Sequence, residues 1–382
     1  MRGSQRLRVL DRMIGTPLLW CLGGVRSPRA GPTSFRKIGI MQTAAIGDTL
    51  LMAGHLSALR RNWPQALITL FFGRDNGPAA RLLQGYDRLV PLDLMRPDHA
   101  LRQLRAEQLD VLIDCGPWPR LNALLTWAAG ARLTIGFATR GEGRHYAFDL
   151  TVEHRSDRHE TDNQAALFAL LTQGVSDPPR LAIGHEPSTI RRRIVFHPWA
   201  GGSGKRNKQW PGAYWQALAA WARDHRLAVA LTGGPTDLDD GRDLAKQLRA
   251  EVDGLELADF TGRLSLEGTA EILMGAAAVV SVNTGTMHLA AMLGCPTIGL
   301  CGPTSARRWG PIGPKAISVE SPHPDAGYLN LGFEFPKDPP PVMEALTPDL
   351  VIDGLDHLLR RERLGLLTTP MPLSGRSAQG RP

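Results

Sequence analysis

The sequence predicts an α/β protein of two domains, each built on a parallel sheet, and three observations carry that expectation. Short β-rich apolar runs alternate with helical segments along two stretches of the chain, the order that βαβ units require. The 382 residues, 43% of them hydrophobic, suffice for roughly two or three domains with cores of their own. Within residues 281–313 an apolar strand enters a small-residue turn, a helix and a second buried strand, an order that builds an anion site.

The elements follow in chain order. Residues 1–34 place an apolar run, Met13 to Val25, between two basic stretches. That run is short for a bilayer span, and the Arg-Ser-Pro-Arg junction after it has no small-x-small cleavage site. The expectation is an interfacial helix, with Arg2, Arg6, Arg8, Arg12 and Arg26 near anionic head groups and Leu18, Leu19 and Trp20 in the acyl boundary. The rival reading is a helix packed on the protein's own surface.

Residues 35–175 form the first expected domain. Its strands are Ile38 to Met41, Leu67 to Phe72, Arg88 to Pro91 and Val111 to Cys115, with helices near Thr49 to Arg61, Leu121 to Ala129 and Gln164 to Leu171. Residues 176–192, around Asp177-Pro178-Pro179-Arg180, read as a linker. Residues 193–365 repeat the pattern, with strands Ile194 to His197, Ala228 to Thr232, Leu255 to Phe260, Ala278 to Val282 and Thr297 to Cys301. Helices near Gly212 to Asp224, Leu238 to Ala250 and Leu266 to Gly275 separate them, and residues 366–382 read as a disordered tail.

Charge and cysteine usage narrow the partners only in part. A formal charge of +7 favours acidic ones, whether nucleic acid, anionic lipid or a phosphorylated substrate. No recognition helix or aromatic RNA platform accompanies that charge, which argues against nucleic acid. Four cysteines without a CxxC pair provide neither a zinc site nor a disulfide framework and fit a reducing compartment.

The chemistry-bearing residues cluster at strand ends. After Ala278 to Val282, Asn283-Thr284-Gly285-Thr286 supplies cap and turn residues, and Met287 to Leu293 carries the helix. Free backbone N–H groups and the positive dipole end would then converge on one point, with the His288 imidazole in the first turn. The same geometry also serves as a plain structural turn in α/β proteins. Asp48 follows the first strand, at the carboxyl edge where open sheets bind ligands; it reads either as a helix-capping acid or as a general base. Lys208 ends the loop Gly201-Gly202-Ser203-Gly204-Lys205-Arg206-Asn207-Lys208, where a cation can neutralise a departing diphosphate or simply be solvated. The spacing of that loop is not a Walker A motif.

Asn283 to Thr297, followed by Gly302-Pro303-Thr304, resembles the (D/N)-T/S-G-x-M-H-L-A-A-x-L-G-x-P run and G-P-T segment of the family 9 glycosyltransferases, the heptosyltransferase-like enzymes. Phe196-His197-Pro198 through Lys208-Gln209-Trp210-Pro211 is similar to their H-P-G and K-x-W-P element. Leu231-Thr232-Gly233-Gly234 resembles their glycine turn, and Ala45-Ile46-Gly47-Asp48 their N-terminal G-D signature. The resemblance spans about residues 36 to 315.

It implies a GT-B fold, two doubly wound Rossmann-like domains facing a cleft, and an inverting transferase that needs no metal or other cofactor. The implied donor is a nucleotide-diphospho sugar, ADP-heptose, held in the C-terminal domain by Lys208, Thr232, Asn283, Thr284, Gly285, Thr286, Met287 and His288. A lipid-linked saccharide of the lipopolysaccharide core would enter the N-terminal domain, with Asp48 as the base. The implied setting is the cytoplasm, peripheral on the inner face of the bacterial inner membrane. One departure bears on the donor: the best-known heptosyltransferases carry Asp where this chain has Asn283.

Three further groups have bland readings. Asp237-Leu238-Asp239 satisfies a metal-binding D-x-D pattern but sits where acids open a helix. His145, His154 and His159 with Asp157 lack the spacing of a closed metal site and read as surface residues. Arg307 and Arg308 either reach a phosphate or the acceptor, or lie on the surface. The rival functions are transfer of another sugar, epimerisation or hydrolysis of a nucleotide sugar, a non-catalytic scaffold, and nucleic-acid binding.

Overall fold

The computed structural model describes residues 5–25, 29, 31–32, 34–174, 176–182, 192–202, 204–332 and 334–363. Part of the expected linker and the expected tail at 366–382 therefore lie outside the described residues. Two six-stranded parallel sheets organise the chain, ordered β3-β2-β1-β4-β5-β6 and β12-β11-β10-β7-β8-β9.

The first half opens with helix α1 (Gln5–Val25) and continues through β1 (Lys37–Gln42), α2 (Ile46–Leu50), α3 (Ala53–Asn62), β2 (Leu67–Phe72), α4 (Gly77–Leu82), β3 (Arg88–Pro91) and α5 (Pro97–Ala106). Then come β4 (Val111–Asp114), α6 (Arg120–Ala128), β5 (Leu133–Ala138), β6 (Leu150–Glu153) and α7 (Glu160–Thr172). The second half runs β7 (Arg193–His197), α8 (Gly212–Asp224), β8 (Ala228–Leu231), α9 (Leu238–Glu251), β9 (Leu257–Asp259), α10 (Leu266–Met274) and β10 (Ala278–Val282). It closes with α11 (Gly285–Met292), β11 (Thr297–Cys301), α12 (Ala306–Trp309), β12 (Ala316–Glu320) and α13 (Pro348–Arg363).

In each sheet the strand order reverses at one place, between β1 and β4 and between β7 and β10, and there the helices leave in opposite directions and open a crevice. The central strands are buried on both faces, which explains their unbroken apolar runs: β10 and β11 have no residue outside the core.

Several elements differ from the sequence reading. The helix expected from Thr49 to Arg61 is broken, because Met52 N–H turns back to the Thr49 carbonyl (3.2 Å) while the Asp48 carbonyl accepts from the Gln164 side chain (2.8 Å). A tertiary contact thus ends α2 after five residues. Strands β5, β6 and β12 and helices α4, α5, α12 and α13 went unread; β6 is mostly exposed and β12 half-buried, so neither shows a clean period.

Helix α1 packs on the protein's own surface along one face, the second of the two readings that the sequence left open. Leu19 and Leu22 pack with Ala123, Ala147 and Phe148, so Leu19 belongs to the protein's interior and not to an exposed apolar face. Gly15 and Gly23 allow the close approach, since a Cβ would fall 2.6 Å from Arg120 Cβ and 2.4 Å from a Tyr146 ring carbon. The Asp11 carboxylate, buried, accepts from the Arg120 (3.1 Å) and Leu121 (2.9 Å) amides and so caps α6 from another helix. Val9, Leu10, Met13, Ile14, Leu18 and Trp20 remain exposed.

Asp11→Ala is expected to weaken α1 docking by about 1.5–3 kcal/mol, the worth of hydrogen bonds to a charged acceptor. Hydrogen exchange should accelerate across residues 5–25 and not in β1; unchanged exchange in α1 would show that the cap contributes nothing.

Candidate functional site

Both halves present their crevice-edge loops to the same place. β1 delivers Ile46-Gly47-Asp48 and β10 delivers Asn283-Thr284-Gly285, and the two loops are in contact. A Cβ on Gly285 would lie 2.5 Å from Ile46 Cγ2 and 3.2 Å from the Gly47 nitrogen; one on Gly47 would lie 2.9 Å from His288 Cδ2. Only glycine at both positions permits this approach. It sets Asp48, 5% exposed, beside the first turn of α11. A single apolar cluster continues from Ile40, Leu50 and Leu56 into Leu273, Leu289 and Ala290, so the halves share a core beneath the loops.

The residues singled out in the sequence fall into distinct settings. His288 is buried, stands edge-on to His159 with ring centroids 6.4 Å apart, and its Nδ1 has no hydrogen-bond partner among the described residues. Burial, with the neighbouring His159 adding to it, lowers its pKa to about 3, so the ring is neutral and acts as a hydrogen-bonding group and not as a cation. Thr284 caps α11 in extended conformation, and its hydroxyl lies 3.5 Å from that of Ser281. Thr286 is buried beside it, while the Met287 side chain turns into the core, where its sulfur would meet a Cβ on Gly299 at 2.6 Å.

The Asn283 amide donates to the Trp309 carbonyl at 2.8 Å and sits 3.8 Å from the Cys301 sulfur. An aspartate in this setting would face that carbonyl oxygen with a second acceptor, which gives the amide at this position a physical reason.

Lys208 closes a short 3-10 turn, Lys205–Lys208, entered through Gly204 in left-handed conformation (φ 61°). Lys205 pairs with Asp237 at 3.6 Å. The Thr232 hydroxyl is 3.1 Å from His197 Nδ1, and burial lowers the pKa of that histidine to about 4. Asp237 accepts from the Gly234 amide at 3.0 Å and Asp239 lies in the first turn of α9, the helix-opening use expected of them. At the carboxyl end of β4, Asp114 and Arg144 form a fully buried ion pair, with Arg144 5.4 Å from the Phe148 ring centre.

Two readings need correction. His154 and His159 are buried and not surface residues, and Arg308, 3% exposed, is an interior cation. These three, with Glu160, join the halves along α7 and α12. No local pattern marks the contacts between the halves, because those partners lie about 150 residues apart in the chain.

The fold with these crevices is that of the GT-B glycosyltransferases. The profile of glycosyltransferase family 9 (heptosyltransferase) matches residues 99–328, and the chain belongs to that family. Lipopolysaccharide heptosyltransferase 1 of Salmonella typhimurium (strain LT2) is 35% identical over 322 residues, 79% of this chain and 99% of the relative. The Escherichia coli (strain K12) protein of the same name is 27% identical over 317 residues, covering 77% and 96%. Among solved structures, E. coli ADP-heptose lipopolysaccharide heptosyltransferase II superposes with a TM-score of 0.68 at 22% identity, over 86% of this chain and 99% of that one. E. coli heptosyltransferase WaaC with ADP gives 0.67 at 20%, over 84% and 99%. At those identities the superpositions speak for the fold, and the family assignment stands on the sequence matches. The protein is a glycosyltransferase.

The neutral His288 has a consequence for stability. Its pKa is about 6.5 when unfolded and about 3 when folded. The unfolded chain therefore binds a proton that the folded one refuses: the contribution is complete above the unfolded value and is lost as pH falls from about 6.5 towards 3. His288→Gln should lose less stability than wild type between about pH 7.5 and pH 5, a difference on the order of 1–2 kcal/mol in urea unfolding. Identical losses would mean that His288 is protonated in the native state.

Proposed function

We propose that the chain is an inverting transferase that moves heptose from ADP-heptose to a lipopolysaccharide-core or related glycolipid acceptor, with Asp48 as general base. The observation that supports this reading is the contact of Gly47 with His288 and of Ile46 with Gly285, which brings the residue next to Gly47, Asp48, into the neighbourhood of the α11 N-terminus. Heptose, ADP and lipopolysaccharide come from the names of the relatives.

In this mechanism the diphosphate lies against the Asn283–His288 turn, where amide N–H groups, the α11 dipole and the Lys208 ammonium offset the charge that grows as the sugar–phosphate bond breaks. Thr232, at the end of β8, borders the nucleotide. The acceptor hydroxyl attacks the anomeric carbon from the face opposite the diphosphate, and Asp48 takes its proton. Met287 acts indirectly, by seating α11 on β11. The buried, already occupied Asp237 favours a diphosphate held without metal.

The acceptor would enter the crevice between β1 and β4. Helix α1 sits at the rim of that crevice, tied to the α6 N-terminus, and turns Val9, Leu10, Met13, Ile14, Leu18 and Trp20 outward with Arg6 and Arg12 exposed on the same helix. This combination suits an anionic membrane surface that presents a lipid-linked acceptor. Among the described residues no helix is long and apolar enough to cross a membrane.

Asp48→Asn is expected to lower kcat by about 10²- to 10⁴-fold while the calorimetric affinity for ADP changes little. Wild-type turnover would remove Asp48 from the mechanism; ADP binding with no sugar transfer in the wild-type protein would favour a scaffold. For the membrane surface, Ile14→Glu with Trp20→Glu should cut sedimentation with phosphatidylglycerol vesicles by about tenfold or more, given about 1.5–3 kcal/mol per buried apolar side chain. Equal sedimentation of both proteins would refute the surface.

A further inference from the structure

Glu160 lies at the start of α7 in the N-terminal half, wholly buried, and Arg308 lies on α12 in the C-terminal half, 3% exposed. Arg308 Nη2 donates to Glu160 Oε2 at 2.5 Å and lies 3.2 Å from His154 Nε2; its Nε donates to Asn330 at 3.0 Å and its plane covers the Trp309 ring at 4.2 Å. The His154 ring is 3.0 Å from Glu160 and stands edge-on to Phe137 at the end of β5. Burial raises the Glu160 carboxyl, but His154 and Arg308 outweigh it and hold the group well below the usual carboxylate range, so it is ionised inside the protein.

A second strut runs in parallel. His159 caps α7 by accepting from the Thr161 amide on Nδ1 (3.2 Å), which leaves Nε2 to donate to the Gly310 carbonyl at 3.0 Å. One turn beyond Glu160 on the same helix, the Gln164 amide donates to the backbone carbonyl of Asp48 at 2.8 Å. On the other side, the Trp309 carbonyl next to Arg308 receives the Asn283 amide at 2.8 Å. The segment Arg308–Gly310 is therefore bonded both to the loop that would hold the diphosphate and, through one turn of α7, to the backbone of the base.

We propose that Arg308 and Gln164 are positioning residues: the Arg308–Glu160 clasp locks α7 to the C-terminal half, and Gln164 passes that register to Asp48. The inference rests on Asp48 acting as the base. Fork geometry suits the role, because a planar guanidinium holds the Glu160 carboxylate and the Asn330 oxygen at fixed angles where an ammonium cannot.

The test uses Arg308→Gln, Arg308→Lys and Gln164→Leu in the full chain, with kcat, ADP affinity by calorimetry and hydrogen exchange over residues 159–164. Arg308→Gln and Gln164→Leu should each lower kcat about 30- to 100-fold, the scale of an ångström-sized misplacement, with ADP affinity within about threefold. Combining the two, or adding either to Asp48→Asn, should cost little more, since all three act along one path. Arg308→Lys should lose about tenfold and guards against a glutamine variant that fails to fold. Wild-type kcat in Arg308→Lys and Gln164→Leu, a loss in ADP affinity as large as that in kcat, or fully additive losses would each overturn the proposal. If Asp48→Asn alone keeps full turnover, the base assignment falls; faster exchange over 159–164 in Arg308→Lys then still reports whether the clasp exists.

Discussion

The close approach of two glycines is the constraint on which the rest depends. Gly47 and Gly285 follow strands of different sheets, and a Cβ at either would fall inside van der Waals contact with the opposite loop, so the two loops could not meet as they do. Since the loops meet there, Asp48 and the first turn of α11 occupy one site. The apolar cluster beneath, continuous from Leu50 to Leu289, provides the non-directional cohesion, while the loops set the register.

Around that contact the protein places its most expensive groups. An ionised Glu160, an interior Arg308 and four histidines with depressed pKa values, His55, His159, His197 and His288, are all removed from water. Buried ion pairs rarely add stability over apolar residues of the same size, so their presence at the seam between the halves points to geometry more than to cohesion. The neutral histidines follow the same logic: each is held as a hydrogen-bonding or packing group and resists protonation in acid.

The architecture was readable because parallel strands buried on both faces leave unbroken apolar runs. Leu67–Phe72, Ala278–Val282 and Thr297–Cys301 were located to the residue, and the glycine-bearing loops after β1 and β10 stood out by composition. Elements without a period escaped. Strand β6 is mostly exposed and β12 half-buried, and the break between α2 and α3 is imposed by Gln164, which lies 116 residues away. Helix α1 was legible as a helix but not in its facing, since Leu18 and Leu19 are chemically alike and only the partner surface of α6 and Phe148 distinguishes them.

Sequence alone determined the two parallel-sheet halves, the family and the two loops that carry Asp48 and Asn283–His288, because each rests on contacts or chemistry close in the chain. Tertiary structure decided everything that joins the halves. The burial of His154, His159 and Arg308, the inward amide of Asn283 and the hold of Gln164 on Asp48 all depend on atoms brought together from distant segments, and no local pattern of charge or hydropathy encodes which partner a buried polar group will find.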